Sequence, residues 1–571
     1  MPLLRYDAYR PDISDYEGTS SRIVLNAIPQ GDGYGPHPGF SPYTQALPAP
    51  CCGAFYALKN DGSVVTFAGS ATKLYQLDNT TYRWTDVSAG GASYSAVSVN
   101  AQWQFAQTGN FVFATQANAP LQVFDLTQST AFSAALGSPP QAAYISVIGP
   151  FLVLSGLLAL PYRIQWSGLN NFNSATAWTV GLSFSDFQDF PDGGITRGIA
   201  GGTQSGVVFQ DQVIRSLAYV PGSPIVFQID KITQGMGLFA PYSIISAGGS
   251  IFFYAGQGFQ RIDPGAAPVP IGLEKVDRSF IADLDKGNLQ FFMGAADPRS
   301  SRIYWAYKSN AGTAGAYDKL LGYDPLLDRF FPVQTPGQFL LGVSQSGITL
   351  AALDPIAPTP LAITGAANNG SGAIRLTLAS EANANFAVAG QNFVEVYGVQ
   401  GTTEANGTWP FAVIDATHID LLGSSFANAY ASGGQIGGAL QAMALSLDDY
   451  ATAVQPQLGQ FDNTATLGFF SGAPLQAIIQ SAEQSADPAR LDIRGFKPIT
   501  DAPAVFGSLF YRDTQQVAPV QSVEVSLSMR TGRCDMMRDA RYVRFQIRIP
   551  AGTAWSFAAG IVPDTGEGAS I

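Results

Sequence analysis

Between Cys51 and about Pro355 the chain is written in short apolar runs separated by turns rich in Gly, Asn and Asp. The order of run, turn, run, polar turn, run then repeats. Its first copy has Phe55 to Leu58, the turn Asn60-Asp61-Gly62, Val64 to Ala68, and Leu74 to Leu77. A second has Trp103 to Ala106, Thr108-Gly109-Asn110, Phe111 to Thr115, and Leu121 to Phe124. Later copies pair Tyr144 to Val147 with Phe151 to Leu154, Val207 to Gln210 with Arg215 to Tyr219, and Ser243 to Ser246 with Ile251 to Tyr254. Two more pair Phe291 to Gly294 with Ile303 to Tyr307, and Leu340 to Val343 with Ile348 to Ala351. Central turns at Gly62, Gly109, Gly149, Gly206, Gly249, Ser300 and Gly347 fall about 47 residues apart on average. Short strands on a period of about 40 to 50 residues predict the blades of a β-propeller. An irregular series of β-sandwiches is the alternative reading. No helical run exceeds one or two turns.

The pattern changes on either side of this block. Residues 1–50 read as an N-terminal arm, because Asp32 to Gly39 is too rich in Gly and Pro for regular structure and Ser41 to Pro50 adds further prolines. Only Ile23 to Ile28 offers a lone strand. Residues 51–355 are the propeller. Residues 356–439 read as an inserted small β-barrel or sandwich, with strands Ala373 to Leu378, Phe393 to Val399, Trp409 to Ile414 and His418 to Leu422. Residues 440–571 are a C-terminal β region expected to complete the propeller or a platform on it. In Tyr542 to Ile549 the odd positions are all apolar, while the even ones are Tyr, Arg, Gln and Arg. That period of two predicts a half-buried strand with an Arg face. The fold class is all-β.

Composition narrows the function. Charged residues are 13% of the 571, against about 25% in an ordinary soluble chain, while aromatics reach 12%. Disordered, coiled-coil and helical-bundle classes are excluded. Net charge is −12, so a general grip on nucleic acid is not expected. Eight bases are Lys and 22 are Arg, and Arg suits fixed planar pairs at interfaces. Cys51, Cys52 and Cys534 make no disulfide framework. The greasiest stretch, Val147 to Tyr162, is short and broken by Gly and Pro, so no membrane insertion is expected.

Catalytic chemistry is thin. The histidines are His37, in a Pro-Gly segment, and His418, in the insert, and neither has an evident catalytic partner. Metal-ligand spacings and phosphate loops are missing, so no cofactor or metal is expected. Asp186 with Asp189, and Asp283 with Asp285, are the acid pairs that could mimic a glycosidase. Their surroundings favour turn capping or ion pairs with Arg. The expectation is a protein that is not an enzyme. One cluster stands out near the C-terminus: Arg530, Arg533, Arg538, Arg541, Arg544 and Arg548, offset only by Asp535 and Asp539. These are candidate interface residues. No aromatic side chains interleave to stack nucleic-acid bases.

Several strings carry a family resemblance. Ile164-Gln165-Trp166-Ser167-Gly168 followed by Trp178 resembles the "WS…W" signature of tail nozzle proteins of short-tailed bacteriophages, also called tail-hub or DNA-stabilisation proteins. Gly206 to Gln210, Phe227 to Asp230, Gly235 to Ser243, Pro270 to Asp277, Ile303 to Tyr307 and Leu320 to Asp324 follow in the family's order. Gly532-Arg533, Arg541 to Arg544 and Trp555 resemble its C-terminal segment. The insert, through Val399-Gln400-Gly401, Asn406-Gly407-Thr408 and Ser432-Gly433-Gly434, is similar to small β modules of phage tail proteins. The resemblance implies a structural virion subunit, assembled in the host cytoplasm as a homohexameric ring under the portal and adaptor. Such a ring extends the DNA channel, retains the packaged genome, conducts it during ejection and meets tail fibre or spike and needle proteins. Acid in excess along that channel would let DNA slide without sticking. The alternative is a β-propeller enzyme or lectin acting on host surface polysaccharide.

Overall fold

The computed structural model describes residues 3–14, 18–79, 82–223, 225–345, 360–379, 393–437, 455–485 and 489–567, and the repeated runs become four-stranded antiparallel sheets. Blade 1 is Gly53–Leu58, Val64–Gly69, Leu74–Leu77 and Trp84–Asp86, paired in that order. Blades 2 to 6 repeat the plan, with inner strands Gln104–Thr108, Ala142–Ile148, Thr196–Ala200, Ile245–Ala247 and Met293–Ala296. The second strand of a blade is covered on both faces by its neighbours. It is therefore continuously apolar rather than alternating, as in Val64–Gly69 and Ile303–Tyr307, where every residue is buried. Tryptophans lock adjacent blades: the Trp305 indole donates to the Ser243 carbonyl and that of Trp103 to the Ser70 carbonyl, each at 2.8 Å. A Cβ on Gly69 would lie 2.5 Å from Cδ1 of Trp103, so only glycine allows that approach.

Blade 7 is built differently. Its inner strand, Phe339–Gln345, pairs with Gln455–Phe461, then Thr466–Pro474, and its outermost strand is Pro38–Ala46 from near the N-terminus. Among the described residues this gives seven blades, and the inner strand of blade 7 packs on that of blade 1 to close the ring. The expected pairing of Leu340 to Val343 with the next run is replaced by this long-range one, and Ile348 to Ala351 lies outside the described residues.

The N-terminal fifty residues are not an irregular arm. Ala27–Gln30 and Gly33–Pro36 form a hairpin, and Pro38–Ala46 is a nine-residue strand. Prolines are tolerated because Ala27–Gln30 and Pro38–Ala46 are edge strands, which need ladder bonds on one side only. Nor does the whole C-terminal region complete the propeller. Only residues 455–474 do so; the remainder forms a two-sheet sandwich with residues 4–36. One sheet runs Ala27–Gln30, Gly33–Pro36, Ala558–Glu567, Leu491–Thr500, Cys534–Ala540. The other runs Ile23–Leu25, Ala477–Gln480, Tyr542–Ile549, Phe506–Arg512, Val520–Gln521. Val543, Phe545, Ile547 and Ile549 point into the shared core with Phe496, Leu509 and Ile561, as the alternation predicts, but Tyr542 and Gln546 on the other face are buried as well, so the strand is not half-buried with an open Arg face.

The same N-terminal segment fastens sandwich to propeller. Asn26, at φ +57°, receives a bond from the Gln334 amide at 2.7 Å and donates its own to the Pro332 carbonyl at 3.0 Å. Asp12 accepts the Arg278 and Ser279 amides at 2.6 and 2.8 Å, capping the short helix Asp277–Asp283. Between the first two strands of blade 7 sits the insert, a closed six-stranded barrel. Its strands run Leu361–Asn368, Ile374–Leu378, His418–Leu421, Gly407–Val413, Phe393–Tyr397 and Gln435–Gly437 around the core residues Ile374, Leu376, Ile419 and Leu421.

Candidate functional site

The inner strands of all seven blades line a cavity of about 440 Å³ on the propeller axis. Its wall is uncharged and mixes aromatic, aliphatic and polar groups, with Tyr56, Gln104, Phe105, Tyr144 and Tyr242 among its residues, and none of the described lining residues is charged or a histidine. The rings of Phe55 and Phe105, from adjacent blades, lie nearly parallel with centroids 5.9 Å apart. The wall is fixed by its own bonds. The Gln102 amide donates to the Tyr242 hydroxyl at 3.0 Å, and its side chain donates to the Gln290 carbonyl at 2.5 Å. Burial pushes the Tyr144 hydroxyl up to about 12 and holds that of Tyr242 neutral as well. Such a wall can enclose a neutral group or water and presents no acid–base pair.

The groups considered for catalysis lie elsewhere, each with a structural partner. Asp189 meets Arg163 at 2.6 Å on an outermost strand, and this pairing holds its carboxyl below the usual range; Asp186 accepts the Phe187 amide. Asp283 meets Lys319 and Asp285 meets Lys308, both at 2.7 Å. His37 is buried edge-on to Tyr304 and Phe470, and burial pushes it down to about 4. His418 bonds Asp415 at 2.8 Å. Burial raises the Cys51, Cys52 and Cys534 thiols.

The six arginines do not share one face. Tyr542–Ile549 carries Arg544 and Arg548 in one sheet of the sandwich, while Cys534–Ala540 carries Arg538 in the other, with Arg541 at the corner between them. Arg548 pairs with Glu524 at 2.7 Å and lies over the Phe506 ring. Arg533 pairs with Asp564 at 2.5 Å. Arg544 reaches Glu483, which is 1% exposed and also holds Arg512. Arg530 and Arg538 are exposed and have no acidic partner within 4.0 Å among the described residues. The spacing that suggested one basic surface thus divides into three internally paired arginines, two outward ones, and the half-buried Arg541, whose Nε has no hydrogen-bond partner among the described residues. Which sheet a residue enters is set by the corner at Ala540, and linear spacing does not show it.

The WS…W string has a structural role at the propeller rim. Trp166 Nε1 donates to the Phe184 carbonyl at 2.9 Å, Ser185 Oγ to the Trp166 carbonyl at 3.0 Å, and Trp178 is buried between blades 2 and 3. Together they hold a loop, residues 167–185, that contains no charged residue. Leu169, Val180, Leu182 and Phe184 are exposed on it. Phe184 sits at φ +67°, an unfavourable conformation for so bulky a residue. Sequence reasoning missed this apolar surface because its residues are spread among polar ones, although the absence of charge was there to be read.

Among the described residues, the fold is that of a seven-bladed β-propeller with an inserted barrel and an attached sandwich. No protein-family model and no curated protein matches the chain. Similar solved structures include a chain from the crystal structure of the mitotic checkpoint complex, at 10% identity and TM-score 0.33 over 55% of this chain and 92% of that one. YCF48 bound to D1 peptide is similar at 12% identity and TM-score 0.31, over 53% and 87%. A functionally unknown protein from Desulfotomaculum acetoxidans gives 12% identity and TM-score 0.30, over 49% and 84%. Among the described residues, no helix is long and apolar enough to cross a membrane.

Proposed function

We propose that this chain is a structural subunit of a short-tailed phage tail nozzle, a homohexameric ring that extends the portal channel, retains packaged DNA and conducts it during ejection. The observation that carries the reading is the ordered series of nozzle-like strings from Ile164 to Trp555. Those strings fall on blades 3 to 6 and on the sandwich. The uncharged apolar rim loop supports it, since exposed apolar patches on a folded protein mark contact with other protein. So does a concentration of charge in one place. Residues 346–454 carry eight acids and one base, −7 of the chain's −12.

That distribution alters the sliding mechanism. The wall of the propeller axis is neutral, so acid facing DNA would have to come from the insert, the sandwich or the outside of the blades. Assembled tails imaged at low resolution test the reading: a six-fold ring beneath the portal supports it, and a subunit lying elsewhere in the particle, or none, overturns it. The second reading, a propeller enzyme or lectin for host polysaccharide, rests on the axial cavity and its aromatic wall. Turnover or binding of capsular glycan by the isolated chain would favour it.

A further inference from the structure

A second cavity, of about 250 Å³, opens where the N-terminal segment crosses the propeller. Residues 9–11 and 22–25 form one wall. The helix Asp277–Asp283 and the blade 6 strands Ile303–Tyr307, Tyr317–Asp324 and Arg329–Gly337 form the other. Both walls are fixed. Asp12 caps the helix, and the Arg22 amide donates to the Gln480 carbonyl at 3.2 Å, which ties the near wall into the sandwich.

The lining is divided in two. Val24, Leu25, Phe280, Leu321 and Val333 make an apolar half, against which the Phe280 and Tyr307 rings meet edge to face with centroids 4.8 Å apart. Tyr9, Arg22, Asp283, Tyr307 and Lys319 make a polar half, in which one acid faces two bases. That acid is already engaged: Asp283 accepts from Lys319 Nζ at 2.7 Å and from the Tyr307 hydroxyl at 3.0 Å. The neighbouring Asp12 is engaged too, by the Arg278 and Ser279 amides and the Ser279 hydroxyl. Arg22 differs. It donates to the Pro11 carbonyl at 2.9 Å, which steadies the side chain, and it has no carboxylate within 4.0 Å among the described residues. The Tyr9 hydroxyl lies within electrostatic reach of Arg22 and Asp283, and burial pushes its pKa up to about 12, so it stays a donor.

We propose that this cavity binds a small organic monocarboxylate. Its carboxylate takes the free fork of Arg22 and the Tyr9 hydroxyl, and its short apolar body lies on Val24, Phe280 and Leu321. A guanidinium suits that role because it offers parallel N–H donors in a fixed plane and is weakly hydrated. The volume is the share of about eight waters, the size of a phenylacetate or a hexanoate. A bare inorganic anion gains nothing from the apolar half. Bound there, the ligand bridges the N-terminal segment and blade 6 across the joint between sandwich and propeller. The site does not depend on whether the chain forms a ring.

Titration calorimetry on the full-length chain with phenylacetate and hexanoate tests it. The expected result is one site per chain with Kd of about 0.1 to 1 mM, the range open to ligands of roughly ten heavy atoms. Phenylacetamide keeps the body and loses the charge, and should bind about tenfold more weakly or worse. Sulfate at equal concentration should not displace phenylacetate. Arg22→Gln should weaken phenylacetate about tenfold or more, Arg22→Lys by less, and Tyr9→Phe about threefold. Should Arg22→Gln melt early, Tyr9→Phe and Arg22→Lys carry the same test with the ring or the charge retained. Phenylacetate should also slow hydrogen exchange in residues 9–12 and 276–283. Lack of saturable binding up to about 10 mM, phenylacetamide that binds as tightly, or displacement by sulfate each overturns the site. So does binding at parental strength by the Arg22 and Tyr9 variants. Protection that falls instead on the inner strands of the blades puts the ligand in the axial cavity and overturns it as well.

Discussion

Blades 1 to 6 and blade 7 solve one packing problem by opposite routes. Each of the first six is a continuous stretch of chain whose strands meet their sequence neighbours, mostly through short turns, the 167–185 loop of blade 3 being the long one. Blade 7 gathers residues 38–46, 339–345 and 455–474, and it carries the barrel between its first two strands. Local blades can form their ladders early and independently. The composite blade can form only when both ends of the propeller have arrived, so it is where closing the ring is decided. A propeller needs that closure because a blade with one face uncovered exposes its apolar second strand.

The contrast should appear most strongly on removing residues 1–46. That deletion takes the outermost strand of blade 7 and four strands of the sandwich, Leu4–Arg5, Ile23–Leu25, Ala27–Gln30 and Gly33–Pro36. The expected outcome is loss of the cooperative thermal transition by circular dichroism, and a sharp melt like the parent's would show that closure is dispensable. Next in size is Trp305→Ala in local blade 6. It empties a fully buried site and orphans the Ser243 carbonyl, costing about 3–5 kcal/mol in denaturant unfolding.

Acid should act on the composite blade through His37, which precedes the closing strand. Its pKa is pushed down to about 4 from 6.5, so the folded state refuses a proton that the unfolded chain accepts. Stability from this group is intact above pH 6.5 and falls by about 3 kcal/mol as pH drops to 4. Asp277, raised to about 6 by burial, acts oppositely: the penalty it imposes above pH 6 is relieved as pH falls. The measurement is therefore a difference. His37→Phe should flatten the unfolding profile between pH 6.5 and 4 relative to the parent, and parallel profiles would remove His37 from the account.

Smaller effects complete the comparison. Gly62→Ala, at φ +82° in a local hairpin with no atom near its missing Cβ, should cost about 1 kcal/mol from backbone strain alone. Replacing residues 346–454 by a two-residue turn should change the propeller's stability least, by under about 1 kcal/mol, since the flanking strands are already paired at Gln345 and Gln455. A large loss there would mean the barrel braces the blade.

Legibility in the sequence follows the same division. Where strands pair with sequence neighbours, apolar runs and Gly turns located them to within a residue or two, as in Val64–Gly69 and Phe111–Gln116. Blade 4 was read one strand late: Gly206 lies inside Ser205–Gln210, and the inner strand Thr196–Ala200 was hidden by its own Gly198. That glycine is required because a Cβ there would meet Ile244 Cδ1 at 2.6 Å, a tertiary constraint that looks like a turn. Pro38–Ala46 was invisible for a related reason. Proline excludes a central strand, not an edge, and edge status is a property of the assembled sheet. Of the arginines, Arg530 and Arg538 remain outward, whereas the partners of Arg544 and Arg548, Glu483 and Glu524, lie 61 and 24 residues away in sequence.

Ring closure by an N-terminal strand also sets a timetable during synthesis. Ala46 pairs with Thr466, so on the ribosome the closing strand emerges about 420 residues before its partner exists. At about 5–20 residues per second that is roughly 20–80 s of waiting with an open ladder. Pro38 and Pro42, which make the segment look unsuited to a strand, keep it a poor template for other nascent chains over that interval.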